Sequence, residues 1–100
     1  MKEENKLPRL IEWSNHADQA YFSILEKLLE NGFYRFAQRI DDHTVECLEV
    51  ILKYPEAYPL LEEYNVHRAV IHKDYILTYQ ILEDRIEIVD FVFASSNHPY

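Results

Sequence analysis

One glycine and one cysteine stand in a chain of 100 residues, and ten Lys and Arg face eighteen Asp and Glu. A lone glycine implies few sharp turns. It also leaves no oxyanion loop or strained nucleophile elbow around Ser95 and Ser96, which read as part of a solvated tail. The single Cys47 cannot form an internal disulfide, and it falls within a helical pattern, so it reads as a buried reduced thiol. No segment approaches the ~20 apolar residues of a membrane span, and no N-terminal apolar run resembles a signal peptide. The cytoplasm is the expected compartment, with no membrane partner. The formal charge of −8 repels phosphate backbones, which argues against direct nucleic-acid binding and favours solubility.

What the chain has in quantity is apolar and aromatic surface: 48% hydrophobic residues, 14% aromatic, eight of them tyrosine. At this length one domain, residues 1–100, is expected, burying roughly 60–70% of the surface exposed by the unfolded chain. "KLPRLIEWS", residues 6–14, alternates Leu7, Arg9, Ile11 and Trp13 on one face and reads as a first strand. Pro8 near its start points to an edge position. In residues 14–32, Ala17, Ala20, Tyr21, Ile24, Leu25 and Leu28 form a helical stripe. Ser14 or Asn15 caps its start, and Asn31-Gly32 stops it. A second stripe follows at once: Phe33, Phe36, Ala37, Ile40, Thr44, Val45, Leu48, Ile51 and Leu52. Tyr54-Pro55 ends it.

"PEAYPLLEEYN" reads as a connection, and "VHRAVIHK" resumes strand character. "DYILTYQILEDRIEIVDFVF", residues 74–93, reads as two strands with Glu83-Asp84 at the turn. The order is β-α-α-β-β-β, and the three final strands are expected to form an antiparallel meander, because their links are too short for parallel crossovers. The fold class is α+β, an antiparallel twisted sheet packed against an N-terminal helical hairpin. Leu25, Leu28, Leu48 and Leu52 are expected to face Tyr79, Ile81 or Ile88.

No arrangement of the five histidines matches a metal-ligand spacing: His67 and His72 point to opposite faces of one strand, and His16, His43 and His98 belong to other elements. No metal and no cofactor are expected. Asp90 interrupts an apolar strand and needs a partner, for which Arg68 is the candidate. Arg35 and Arg39, four apart, share a helix face and could pair with acids at the sheet edge or bind a partner's carboxylates.

The element order, together with "LIEWSNHADQAYFSILEKLLENG", "FAQRIDDHTVECLEVILKYP", "LKYPEAYPLL", "HRAVIHKDYILTYQILEDRIEIVDFVF" and "SSNHP", resembles the RelE/ParE superfamily of type II toxin–antitoxin toxins. Its landmarks are Trp13, Ala17, Pro55, Arg68, Tyr75, Tyr79 and Pro99. The resemblance implies a toxin with a cognate antitoxin, bound on the sheet face and the groove beside the helices. Its RelE branch cuts messenger RNA on the ribosome; its ParE branch, which includes plasmid stabilisation proteins, poisons DNA gyrase without catalysis.

Residues 66–93 carry only Arg68, Lys73 and Arg85, and "ASSNHPY" has no base. Cleavage of a phosphodiester needs more cations than that. The expected function is therefore ParE-like gyrase inhibition by protein binding. The alternatives are a RelE-like mRNA interferase or a non-toxic binding module. The residues expected to meet a partner are Arg68, Tyr75, Tyr79, Arg35 and Arg39, with no catalytic residue. An acidic toxin also calls for an antitoxin segment rich in Lys and Arg.

Overall fold

The computed structural model describes residues 10–95. Expectations placed on Leu7, Pro8, Arg9, Ser96, His98 and Pro99 lie outside the described residues. Strand β1 (Leu10–Trp13) leads into helix α1 (Asn15–Glu30) and helix α2 (Tyr34–Lys53), followed by strands β2 (Leu60–Leu61), β3 (Val66–His72), β4 (Tyr75–Ile81) and β5 (Arg85–Phe93).

The helix boundaries follow from identifiable residues. Ser14 caps α1, its hydroxyl accepting from Ala17 N at 3.0 Å. Gly32, at φ +81°, closes it with Gly32 N bonded to Leu29 O and Phe33 N to Leu28 O. That bond pair is a Schellman motif, and only glycine takes its left-handed residue without strain. Helix α2 stops at Lys53 because Tyr54 precedes a proline and adopts φ −135°, ψ 79°.

The sheet order is β1-β5-β4-β3-β2. The expected antiparallel meander is β3-β4-β5, and its tight turn lies at Glu83-Asp84, closed by Leu82 N to Arg85 O. β1 sits at an edge and runs parallel to β5, so the first strand pairs with the last.

One strand was not expected: Leu60 and Leu61, read as connection, pair antiparallel with His67 and Val66. Arg68 N extends this short ladder to Pro59 O. Two residues are too few to show a period. The turn that follows places Asn65 at φ 55°, a left-handed conformation that Asn tolerates.

Both helices cover the sheet face that presents Ala69, Ile71, Tyr75, Leu77, Tyr79, Ile86, Ile88 and Phe91; Ala17, Ile40, Cys47 and Ile51 meet them from the helices. Leu25, Leu28 and Leu48 pack against this core as expected, but Leu52 does not. Leu52, Val45 and Phe33 all sat in the predicted stripe of α2, and all three are exposed. Phe33 precedes the first turn as the N-cap residue, and Val45 and Leu52 each follow a buried residue, Thr44 and Ile51, on the margin of the stripe. Cys47 is buried and reduced. Among the described residues no helix is long and apolar enough to cross a membrane.

Candidate partner-binding surfaces

Two groups of residues have chemistry beyond the core. The first is a row across the second face of the sheet. Arg68 on β3 lies opposite Thr78 on β4, and Thr78 lies opposite Asp90 on β5. Directly opposed residues point to the same side. Their chain neighbours Ala69, Leu77, Tyr79 and Phe91 belong to the core under the helices, so the row faces away from it. Just beyond Thr78 a bulge leaves Val89 without an opposite residue, between Ile88 and Asp90. Bulges of this kind re-aim the side chains that follow.

Asp90 is buried, and Arg68 is not the group that holds it. Its Oδ1 accepts from Phe91 N at 2.8 Å and lies 3.1 Å from His16 Nε2 on the first turn of α1. The reason is topological. β4 separates β3 from β5, so Arg68 and Asp90 are two strand spacings apart, about 10 Å. His16 comes into reach because Ser14 N bonds Ile88 O, which anchors the start of α1 beside β5. Among the described residues, Arg68 Nε and Thr78 Oγ1 are buried without a hydrogen-bond partner.

The expected exposed sheet face is buried at its centre, where Val66, Ile76, Thr78 and Asp90 are all enclosed; Val70, by contrast, is 59% exposed.

The two tyrosines expected at this surface are core residues. Tyr79 is completely buried, and its hydroxyl donates to Pro55 O at 2.6 Å. Burial pushes its pKa up to about 12. Tyr75 is buried too, its ring against Phe36, Phe91 and Phe93. It lines a cleft of about 240 Å³ together with Ile24, Leu28, Phe33 and Phe93. Burial, with Asp74 nearby, raises the Tyr75 pKa.

The second group surrounds the start of α2. Arg35 and Arg39 are exposed and stand together in a cleft of about 550 Å³ with Gly32, Phe33, Tyr34 and Phe36. Phe33 serves as the N-cap residue but contributes no side-chain cap, and the first turn holds no acid. The arginines were expected from their spacing; the two exposed rings beside them were not, because Phe33 read as core. Farther along, Val50, Leu52 and Tyr54 expose an apolar strip flanked by Glu46, Glu49 and Lys53. Among the described residues no group of three or more His, Cys, Asp or Glu is placed to hold a metal ion.

The comparisons with known proteins agree with this architecture. Residues 11–96 match the family model described as the ParE toxin of type II toxin–antitoxin systems, parDE. The chain belongs to this ParE toxin family. It is a RelE/ParE superfamily toxin, and a toxin–antitoxin system of that kind implies an antitoxin as partner.

The fold is similar to that of a chain from the chromosomal ParDE toxin–antitoxin system of P. aeruginosa. The TM-score is 0.70 at 11% identity, covering 86% of this chain and 96% of that one. It is also similar to the YoeB dimer structure from Staphylococcus aureus, with a TM-score of 0.58 at 15% identity over 84% and 94% of the two chains. No curated protein matches the chain.

Proposed function

We propose that this ParE-family toxin acts by binding a protein target, DNA gyrase, and not by cutting RNA, and that its antitoxin neutralises it by covering surface at the helices and along β3. The observation that carries this reading is the poverty of free positive charge on the sheet. Arg85 is engaged by Glu12 at 3.2 Å and by Asp84 at 3.0 Å. Among the described residues of the sheet strands, that leaves Arg68 as the one cation that no carboxylate engages. Lys73 lies in the β3–β4 turn. Binding a ribosome-held messenger requires several converging cations, whereas an apolar protein contact needs what α2 exposes: Val50, Leu52 and Tyr54.

In this reading Arg35, Arg39 and Arg68 contribute to partner surfaces. Tyr75 shapes the adjoining cleft, and Tyr79 acts from within the core. The protein works in the cytoplasm, where gyrase is, and uses no cofactor.

One observation favours the interferase alternative. The exposed His16 imidazole is backed by a buried carboxylate, an arrangement that suits a general base. The experiment is induction of the chain alone, with plasmid supercoiling and messenger ends followed in the same cells. Relaxed plasmid with intact transcripts is the expected result. Ribosome-phased cuts that vanish in Arg68→Ala or His16→Ala would transfer the function to the interferase, and unimpaired growth would leave a non-toxic binding module.

A further inference from the structure

The cleft at the start of α2 is a local exception to the charge of the molecule. The chain carries eighteen acids and ten bases, yet the described residues of this cleft include two arginines and no acid. Arg35 and Arg39 are one turn apart, which places their Cβ atoms about 6 Å from each other on one side of the helix. Like charges so placed repel each other, and among the described residues neither guanidinium forms an ion pair with a carboxylate. Beside them Phe33 and Tyr34 are 57% and 65% exposed. Phe33 also lines the adjoining cleft over Tyr75 and Phe93, so the aromatic surface is continuous from one to the other.

Rigid guanidinium forks beside exposed aromatic rings select a ligand with carboxylates and an apolar body. We propose that this cleft receives an acidic, amphipathic segment of the antitoxin, with carboxylates on Arg35 and Arg39 and an apolar side chain laid on Phe33 and Tyr34. The proposal rests on the reading of the chain as an antitoxin-bound toxin. It also divides the partner's charge. Lys and Arg suit the acidic remainder of the toxin, while Glu or Asp suits this cleft. A nucleic acid fits less well, because a polyanion extends past two arginines into a molecule of net charge −8. A short peptide confines its negative charge to the cleft.

The purified protein carries its own reporter. Gly32, the chain's single glycine, lines the cleft, so its backbone amide signal in a ¹⁵N–¹H spectrum is identifiable by type. The probes are a short synthetic peptide of Glu and Leu in helical spacing, the same peptide with Lys for Glu, and an RNA oligonucleotide of similar length. The acidic peptide is expected to move the Gly32 signal saturably. Arg35→Glu with Arg39→Glu should weaken that binding by at least about tenfold, the size of a lost charge-assisted hydrogen bond. Both arginines are exposed, so the fold should survive; the milder Arg35→Gln with Arg39→Gln pair should give a partial loss.

Binding that is unchanged in both double variants, a Gly32 signal moved equally by the Lys peptide, or a response to RNA alone would each overturn the proposal. Because the readout is peptide binding, it is independent of growth arrest, which tests the toxin reading separately.

Discussion

Strand β4 and helix α2 use their apolar residues in opposite ways. Tyr75, Ile76, Leu77, Thr78 and Tyr79 of β4 are consecutive and all buried. Helix α2 buries Ala37, Ile40, Thr44, Cys47 and Ile51, but leaves Val45, Val50 and Leu52 in the open, with Phe33 and Tyr34 at one end and Tyr54 at the other. β4 lies between β3 and β5 and has no free edge. Its side chains serve the fold. The outward apolar residues of α2 lie outside the core. β4 is thus enclosed along most of its length, whereas α2 gives one face to the core and leaves apolar residues exposed on the other.

Substitutions test this contrast. The largest effect is expected from Leu77→Ala in β4, which should cost about 2–5 kcal/mol by leaving a cavity in a site with no solvent access. The check is a urea denaturation midpoint; an unchanged midpoint would remove β4 from its place at the centre of the fold.

Tyr79→Phe is a finer cut. It removes only the bond to Pro55 O and should cost about 1 kcal/mol. It also has a pH signature. Tyr79 and Tyr58 both have pKa values pushed up to about 12, chiefly by burial. The ordinary value is 10.0, so the folded state holds these protons more tightly than the unfolded chain does. Their contribution to stability is complete below pH 10 and is lost as pH rises through about 12. Tyr79→Phe should therefore flatten the alkaline fall in stability measured over that interval, and an unaltered slope would show that Tyr79 does not titrate in it.

The smallest effects belong to the outside of α2: Leu52→Ala and Val45→Ala should change the unfolding free energy by no more than about 0.5 kcal/mol. A cost equal to that of Leu77→Ala would mean that α2 spends all its apolar residues on folding.

Much of this arrangement was legible in the chain. Gly32 and Pro55 mark helix ends through backbone geometry that few other residues share, and Glu83-Asp84 stands between two alternating runs. The residues that misled did so for physical reasons. Periodicity gives the direction of a helix face but not its width, so Phe33, Val45 and Leu52 were assigned to the core. The expected meander already put β4 between β3 and β5, so the assignment of Arg68 to Asp90 overlooked the intervening strand. The His16 contact with Asp90 joins residues 74 positions apart, and no local pattern announces it. The partner residues divide in the same way: Arg35 and Arg39 came from a spacing and are exposed, while Tyr75 and Tyr79 came from strand positions whose burial depended on the whole fold.

The toxin is proposed to work through protein contact at an apolar helical surface, not through chemistry on RNA. The most direct measurement titrates the purified chain into two purified reactions, DNA supercoiling by gyrase and translation of a defined messenger. Progressive loss of supercoiling, with every messenger full length, is the expected result. Messenger cut at codon intervals while gyrase continues to supercoil would contradict it.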